Sequence, residues 1–407
     1  MADSFVVRKL RDIKHRGDNV RSNKLIRKLE SKPVNEILKT GFIVQMPELW
    51  GTEKSVYEIM CSDSRFEPWL IIVPKFDISS GQIEDNVGDY YINECKNSKM
   101  IIARKDGKWS DIDLDSFDYI FYQRPYNYYL PEHLQSGQVT AHARVCYIPY
   151  AIEDIKNAGL FEDDFFRNVF LGFHESDDIA DLLNSKYPSD NGKRFLSIGN
   201  PTQEKAMSLN KKCEYSKVMW APRWSTDPVI GGSHFPDYHK QLSDFPWGDN
   251  KLVIRPHPLM WENFIRKNII TEDEKNNIIE DWKQKGIAID DNTSIFDTFN
   301  DTDILISDRS SVMSIFIMTG KPVIYCPFGS DYFELFDKTV SGCYIANDWN
   351  ELESTVRMLL SGEDPLREKR LGISNELNLK YNHSSEAIVE YIYTDSAKYK
   401  KKEVSEK

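Results

Sequence analysis

The features that this sequence lacks exclude several classes of protein. No apolar run approaches the ~20 residues that a membrane-spanning helix needs, and no signal-peptide pattern opens the chain. The six cysteines are scattered, without a CxxC pair or metal-type spacing, which favours a reducing, cytoplasmic compartment. The formal net charge is -12 and no RNP, zinc-finger or helix-turn-helix signature occurs, so nucleic acid is not the expected partner.

Several catalytic signatures are also missing. The chain has no Walker phosphate loop, no GxGxxG fingerprint and no HExxH metal site. It shows neither a Ser-His-Asp nor a Cys-His arrangement of the kind that nucleophilic catalysis uses. Nothing in the sequence therefore requires a bound metal ion or a resident cofactor.

What the sequence does contain is an alternation of short apolar runs with longer stretches of helical periodicity. Continuous apolar strands joined by helical spacers are typical of parallel sheets covered on both faces. The sequence therefore predicts an α/β protein with two Rossmann-like domains. The first series of predicted strands is Phe42–Gln45, Trp69–Val73, Met100–Ala103, Tyr119–Tyr122, Val145–Ile148 and Val169–Phe173. The second series is Phe195–Ile198, Val218–Trp220, Leu252–Ile254, Ile287–Ile289, Ile304–Ile306 and Val323–Tyr325.

The domain boundary is expected near Ser185–Gly192, which is rich in turn-forming residues. A chain of 407 residues is long enough for two or three domains. We therefore predict a first domain over 34–188 and a second domain over 189–375.

The two ends differ in character from the domains between them. The sequence predicts a basic helical segment over residues 1–33, because the stretch from Arg8 to Lys32 is rich in Lys and Arg and carries apolar residues at roughly helical spacing. This segment either rests on a membrane surface or partner, or is a solvated helix packed on the first domain. The expected location is accordingly the cytoplasm, with membrane-surface contact through 8–32 as the open alternative. Residues 376–407 predict a C-terminal helix followed by a disordered basic tail.

The most informative segment of the second domain follows the strand that ends at Ile306. Small polar residues come next, and a helical pattern then runs to a stop at Gly320. Ser310 and Ser311 are thus predicted at a helix N-terminus, where unpaired backbone N–H groups bind anions. Arg309 would add positive charge; the alternative is that serine only caps the helix. We expect Asp308 to hold the loop through backbone N–H groups.

A second segment places two basic residues at the end of another strand. Arg255 and His257 alternate with Pro256 and Pro258, which restrict the backbone around the histidine. As an imidazolium, His257 would neutralise charge on a leaving diphosphate; as a neutral imidazole it would donate one hydrogen bond.

A third segment brings further candidates to the same edge. Arg223 follows a strand end and is predicted to bind phosphate, and Trp224 is predicted to stack on a base or line the site. His234 follows the Gly231–Gly232 pair and is either a ligand contact or an ordinary loop histidine. The pattern of residues 291–297 predicts the start of a helix, and this segment is a candidate for contacting the base and ribose of a nucleotide.

These motifs together resemble a known family. Arg-Pro-His-Pro at 255–258, Ser-Asp-x-Ser-Ser at 307–311 and Gly-Lys-Pro-Val-Ile-Tyr at 320–325 occur in the order seen in the CDP-glycerol glycerophosphotransferase family. The Gly-x-Pro at 199–201 and Ala-Pro-Arg-Trp at 221–224 are similar to that family's segments at the same places. The resemblance is good from about 190 to 345 and loose before that.

The resemblance implies a GT-B fold, in which two Rossmann-like domains face each other across a cleft. The second domain would hold a CDP-alditol donor as substrate and the first would present the acceptor. His257 corresponds to the family's Pro-His-Pro histidine, and Ser310 and Ser311 to its diphosphate-binding serines. The reaction would transfer an alditol phosphate to a glycan or lipid-linked hydroxyl in bacterial capsule, teichoic acid or O-antigen synthesis. Two alternatives stay open: a GT-B glycosyltransferase with a nucleotide-sugar donor, and an inactive scaffold of a polysaccharide assembly complex.

One departure from the family concerns the general base. The family's first domain usually carries Trp-His-Gly-Thr, whereas Val145–Ala151 has no histidine here. His174 is our candidate catalytic base, and His142, Glu175 and Asp177 remain as alternatives.

The candidate acceptor residues follow strands of the first domain. Trp50 lies in the loop after the first strand, and Gln123, Arg124 and Tyr126 follow the strand at 119–122. Tyr150 lies after the strand at 145–148. Aromatic side chains beside an arginine suit carbohydrate or phosphate, although Trp50 and Tyr126 can equally pack under their loops.

Overall fold

The chain folds into two compact units. In the computed structural model, the first unit consists of Met1–Glu153, Asn157–Pro201 and His383–Lys407, and the second of Asp154–Lys156 and Thr202–Asn382. The structure describes residues 5–76, 82–85, 87–152, 161, 164–189, 192–209, 211–227, 231–328 and 337–400, with the backbone alone for 5–13, 15 and 16.

The first unit is built on a seven-stranded parallel sheet in the order β11-β10-β9-β8-β1-β2-β5. Its strands β8 and β9 are buried along their whole length, as expected where helices cover both faces. Two short antiparallel ladders, β3 with β4 and β6 with β7, lie outside this sheet. In chain order the strands are β1 (Leu38–Val44), β2 (Phe66–Ile72), β3 (Lys75–Phe76), β4 (Ile83–Glu84), β5 (Lys99–Ile102), β6 (Arg104–Lys105), β7 (Lys108–Trp109), β8 (Tyr119–Tyr122), β9 (Arg144–Tyr147), β10 (Leu171–His174) and β11 (Phe195–Ser197).

The helices of the first unit cover this sheet. Helix α1 packs by Ile26 and Leu29, which are 3% and 1% exposed, and Ser22 donates a hydrogen bond to Asn168 Oδ1 at 2.8 Å. This contact supports the packed alternative for the second half of the basic segment. The side chains of 8–13, 15 and 16 lie outside the described residues. In chain order these helices are α1 (Phe5–Glu30), α2 (Lys54–Ser62), α3 (Val87–Glu94), α4 (Ser136–Val139) and α5 (Asp177–Lys186).

The second unit has a six-stranded parallel sheet in the order β14-β13-β12-β15-β16-β17. Its core contains Trp220, Phe235 and Trp282, all essentially buried. Its strands are β12 (Lys217–Ala221), β13 (Lys251–Ile254), β14 (Ala288–Ile289), β15 (Ile304–Ser307), β16 (Val323–Tyr325) and β17 (Tyr344–Ile345). Its helices are α6 (Pro201–Met207), α7 (Phe235–Asp244), α8 (Met260–Arg266), α9 (Glu272–Gln284), α10 (Ile295–Asp301), α11 (Ser311–Phe316), α12 (Asp337–Val340), α13 (Trp349–Leu360) and α14 (Arg367–Tyr381). The last helix in chain order, α15 (Ser384–Ser396), belongs to the first unit.

The domain boundary differs from the predicted one. Strand β11, which we predicted to open the second sheet, pairs with β10 in the first sheet through Gly172 and Phe195. The turn formers at 185–192 therefore belong to the connection between α5 and β11, and the first unit extends to Pro201.

The C-terminal segment also differs from the prediction. Helix α15 returns to the first unit, where Ile388, Val389 and Ile392 enter its core. Tyr399 O accepts a hydrogen bond from Val34 N at 3.2 Å, so the end is ordered at least to that residue, and 401–407 lie outside the described residues. Among the described helices, none combines the length and apolarity needed to cross a bilayer.

Candidate functional site

Several loops of the second unit meet at one edge of its sheet. Strands β13, β12, β15 and β16 are neighbours and run parallel, so their carboxyl ends share that edge. Ligands of open parallel sheets bind at the carboxyl ends of the strands. The residues that follow these strands include the predicted donor-binding residues.

Asp308 is a buried residue whose carboxylate fixes the loops at this edge. It is 1% exposed. Its Oδ2 accepts hydrogen bonds from Arg223 N at 2.9 Å and Ser233 Oγ at 2.8 Å. Its Oδ1 accepts from His234 N at 3.1 Å. The carboxylate thus ties the loop after β12 to the start of α7, which confirms the predicted role of Asp308 in holding the loop.

His234 is part of the same arrangement. Its Nδ1 lies 2.9 Å from Asp308 Oδ1, so Nδ1 carries the proton that the carboxylate accepts. The ring stacks on Tyr238 with a centroid distance of 4.8 Å, and the residue is 9% exposed. These contacts favour a role in positioning the loop, and ligand contact by His234 stays a prediction.

Two arginine side chains converge over Gly231. Arg223 Nη1 donates a hydrogen bond to Arg309 O at 2.6 Å. A Cβ atom on Gly231 would lie 3.2 Å from Arg309 Nη1 and 3.6 Å from Arg223 Cζ. The residue also has φ of +85°, which glycine adopts without strain. Adjacent guanidinium groups attract a phosphate strongly, because each can donate two hydrogen bonds to it.

His257 lies near Arg223, and its tautomer follows from its hydrogen bond. Leu259 N donates to its Nδ1 at 3.1 Å, so Nδ1 is unprotonated and the neutral ring carries its proton on Nε2. Burial, together with the nearby positive charge of Arg223, lowers the pKa of His257 to about 4. Of the two predicted modes, this pKa favours the neutral hydrogen-bond donor.

Ser310 is the N-cap of helix α11. Its Oγ accepts from Val312 N at 3.2 Å, which is the capping alternative. The hydroxyl proton remains a donor in this arrangement. Phosphate binding by Ser310 and Ser311 stays a prediction.

Arg255 is tied to its own loop instead. Its Nη1 lies 2.5 Å from Asp290 Oδ2, and its Nη2 donates to Asn292 O at 2.9 Å. Burial alone would raise the pKa of Asp290, but hydrogen bonds from Thr298 and Arg255 outweigh it and lower that pKa. These bonds assign Arg255 to fixing the loop that begins at Asp291, and leave donor contact as a prediction.

Two of the predicted acceptor residues have structural roles in the first unit. Trp50 is 1% exposed and packs against Tyr57 and Tyr91, so the prediction that it contacts an acceptor is wrong. Gln123 is 3% exposed; its Oε1 accepts from Gln45 N and Met46 N, and its Nε2 donates to Met46 O. Gln123 therefore holds the loop after β1, contrary to the predicted acceptor contact.

The predicted catalytic histidine of the first unit is also in the core. His174 is 0% exposed, and burial lowers its pKa to about 4. A Cβ on Gly172 would lie 2.6 Å from Phe195 Cδ1 and 3.1 Å from His174 Nε2, so both rings occupy space that the glycine leaves open. The prediction that His174 acts as the base is therefore wrong. His142 precedes β9, at the opposite edge, and contacts Asp115.

Two alternatives for the base remain at the carboxyl edge of the first sheet. Glu175 follows β10 directly and is 4% exposed, and Asp177 lies in the first turn of α5. Arg124, Tyr126 and Tyr150 also lie at this edge, where the Tyr126 and Tyr150 hydroxyl oxygens are 3.0 Å apart.

Comparison with known families bears on the second unit. Residues 199–345 match the model of the family described as CDP-Glycerol:Poly(glycerophosphate) glycerophosphotransferase. This match confirms the predicted resemblance to that family over the segment it covers. All of the predicted donor-binding residues lie within the matched residues 199–345. A comparison with curated protein sequences finds no match.

Similar solved structures cover most of the chain. The wall teichoic acid polymerase TagF is 14% identical with a TM-score of 0.52, and the match covers 96% of this chain and 97% of that one. UDP-GlcNAc 2-epimerase from Neisseria meningitidis is 11% identical with a TM-score of 0.53, covering 88% and 100%. The epimerase from Methanocaldococcus jannaschii is 10% identical with a TM-score of 0.54, again covering 88% and 100%. These likenesses establish the GT-B fold.

Proposed function

We propose that this protein transfers glycerol phosphate, or a related alditol phosphate, from a CDP-activated donor to a hydroxyl of a glycan or lipid-linked acceptor. The pathway class is teichoic acid or a similar bacterial surface polymer. The observation that carries the proposal is the convergence of Arg223, Arg309 and neutral His257 at the carboxyl edge of the family-matched sheet. The likeness of the whole chain to TagF supports it.

The reaction is a phosphoryl transfer. The acceptor oxygen bonds to the phosphorus that carries the alditol, the bond from that phosphorus to the CMP oxygen breaks, and CMP leaves with the electron pair. The acceptor proton passes to a base, for which Glu175 and Asp177 are the candidates. Arg223, Arg309 and the Nε2–H of His257 would stabilise the charge that develops on the leaving phosphate.

Donor binding tests this proposal. We would measure the thermal shift of the wild-type chain with CDP, CMP, UDP, GDP and CDP-glycerol. A ligand that binds only the folded state stabilises it by about 2.7 kcal/mol at 100 times its Kd. Cytidine nucleotides should stabilise the wild type, and Arg223→Ala and His257→Ala should reduce that shift. Arg367→Ala is the matched control, because Arg367 is an exposed arginine of the same unit.

The other outcomes favour the alternatives. Preference for UDP or GDP would favour a glycosyltransferase that uses a nucleotide-sugar donor. The absence of a histidine in 145–151 already favours an inactive scaffold, and the core position of His174 adds to that support. Absence of binding by every nucleotide would support the scaffold.

The exposed face of α1 supports contact with an anionic membrane surface. Arg21, Lys24 and Lys28 are exposed, while Ile26 and Leu29 on the opposite face are buried. Each basic residue at such a surface contributes about 1 kcal/mol. Sedimentation with phosphatidylglycerol vesicles should be salt-sensitive and should fall in a Lys24→Glu/Lys28→Glu variant. Equal sedimentation with phosphatidylcholine vesicles would contradict this contact.

A further inference from the structure

A group of four tyrosines and one arginine lies at the carboxyl edge of the first sheet. We call Arg124, Tyr126, Tyr128, Tyr129 and Tyr150 the tyrosine cluster. Arg124 to Tyr129 follow β8, and Tyr150 follows the neighbouring strand β9. The ring centroids of Tyr126 and Tyr128 are 5.5 Å apart, and those of Tyr128 and Tyr129 are 4.5 Å apart. Tyr128 is 52% exposed, which is unusual for so large a side chain in the middle of an aromatic group.

The loop that carries the cluster is fixed from behind. Gln45, which follows the adjacent strand β1, donates from Nε2 to Tyr129 O at 2.9 Å and to Pro74 O at 3.2 Å. Asn127 Oδ1 accepts from Ser136 N at 2.8 Å. The tyrosines are therefore held before any ligand arrives, which reduces the entropy cost of binding.

Arg124 is a half-buried cation without a carboxylate partner in the described part of the chain. Its Nη2 donates to the neutral Gln45 Oε1 at 3.1 Å, and its Cζ lies 4.1 Å from the Tyr129 ring centroid. Its Nε is buried without a hydrogen-bond partner among the described residues. Burial lowers the pKa of Arg124, against the opposing effect of the neighbouring tyrosines. A buried charge that lacks a counter-charge is costly, so an anionic ligand would compensate it.

We propose that the tyrosine cluster binds a cyclic sugar of the acceptor that carries, or directly adjoins, an anionic group. The flat C–H face of a sugar ring packs on a tyrosine ring, which suits Tyr128. The hydroxyl pair of Tyr126 and Tyr150, with oxygens 3.0 Å apart, can exchange hydrogen bonds with sugar hydroxyls. The guanidinium of Arg124 can bind phosphate or carboxylate. The claim that this sugar belongs to the acceptor rests on the proposed function, whereas the claim that the tyrosine cluster binds an anionic sugar does not.

The ring requirement separates this class of ligand from an acyclic alditol phosphate. An acyclic chain offers no flat face to Tyr128 and loses more conformational freedom when it binds. Four probes test the two parts of the site separately. N-acetylglucosamine 1-phosphate and glucuronate combine a ring with the two kinds of anion, N-acetylglucosamine is a neutral ring, and glycerol 3-phosphate is an acyclic anion.

The experiment is calorimetric titration of each probe into the full-length chain and its variants. Tyr128→Ala should weaken binding of the anionic sugars about tenfold, equivalent to about 1.4 kcal/mol, and Tyr128→Phe should restore it. Arg124→Gln should weaken the anionic sugars about tenfold while leaving neutral N-acetylglucosamine unchanged. Arg124→Lys keeps the positive charge and should therefore retain most of the binding of the anionic sugars, which tests whether the loss follows the charge. Trp109→Ala is the matched control, because Trp109 is an aromatic residue of the same unit that is 40% exposed.

Each outcome decides the proposal. Selective loss in the Tyr128 and Arg124 variants, with Trp109→Ala unchanged, supports it, and the preferred probe distinguishes phosphate from carboxylate. Lack of binding by both anionic sugars, tighter binding of glycerol 3-phosphate, or equal loss in Trp109→Ala overturns it. Arg223→Ala should not affect the sugar probes; if it abolishes their binding, they occupy the second unit and the proposal fails. Sugar binding without any nucleotide binding would overturn the proposed function only.

Discussion

Replacement of Asp308 tests how the donor edge of the second unit is held. The Asp308 carboxylate accepts from two backbone N–H groups, of Arg223 and His234, and from the Ser233 hydroxyl. It also contacts His234 Nδ1. Asp308→Ala would leave these donors without an acceptor in a site that is 1% exposed.

The magnitude follows from these contacts. Each buried donor that is left unsatisfied costs about 1–3 kcal/mol. The contacts share one carboxylate and water can enter the space left by it, so we expect a loss of about 3–5 kcal/mol rather than the full sum. Asp308→Asn keeps one acceptor oxygen, and we expect a loss of about 1–3 kcal/mol.

The assay is urea denaturation, combined with hydrogen–deuterium exchange of peptides from the second unit. Exposed Asp249 provides the control Asp249→Ala, which should change stability by less than about 0.5 kcal/mol. Nucleotide binding should weaken in the same order as stability, since the loop that carries Arg223 depends on Asp308. A loss below about 1 kcal/mol for Asp308→Ala would refute the reasoning.

Three further predictions concern single residues. Gly231→Ala should weaken nucleotide binding about tenfold or more, because the added Cβ would crowd the Arg309 side chain. The control is Gly248→Ala, where φ is also positive at +60° but no atom lies within 4 Å of the added Cβ, so it should lower stability without affecting binding. Equal nucleotide binding by the two variants would contradict this prediction. Burial raises the pKa of Glu53 to about 8. The free energy of unfolding therefore falls as pH rises from about 4.5 to 8, because the unfolded chain ionises Glu53 while the folded chain keeps it neutral. Glu53→Gln should flatten the urea-denaturation stability over that window, and an unchanged profile would count against it. For His174 the pH dependence runs the other way, because burial lowers the pKa of its ring to about 4. The unfolded chain takes up a proton that the folded chain excludes, so the free energy of unfolding falls by about 3 kcal/mol as pH falls from about 6.5 to 4. His174→Gln should remove that loss.

The strands of the fold could be predicted because each is a local apolar run. Even so, the two-residue strands β3, β4, β6, β7 and β17 were missed, because strands that short leave little pattern. Strand β14 is equally short, but it was predicted because it lies in the apolar run Ile287–Ile289. The sheet to which β11 belongs could not be predicted, because strand pairing is decided by contacts distant in sequence. The return of α15 to the first unit was missed for the same reason: an apolar face does not identify what covers it.

At the site, the sequence indicated which residues reach a sheet edge but not where their side chains point. Asp308 behaved as predicted because a carboxylate after a strand is next to backbone N–H groups. His174 was wrongly predicted as the base, and the signal that could have corrected it is Gly172, two residues earlier on the same face of β10. Tyr128 and Tyr129 were overlooked, although consecutive aromatic residues in a short turn are themselves a signal of an exposed aromatic group.

The most direct test of the central claim is to identify the nucleotide that the chain releases from CDP-glycerol. The wild type would be incubated with CDP-glycerol and a lipid-linked glycan acceptor, and the nucleotides separated by chromatography. Transfer of an alditol phosphate predicts acceptor-dependent release of CMP, which His257→Ala and Arg223→Ala should reduce and Arg367→Ala should not. Release of CDP would show that a different bond breaks, and CMP release that is unchanged in both site variants would contradict the assignment of the donor site.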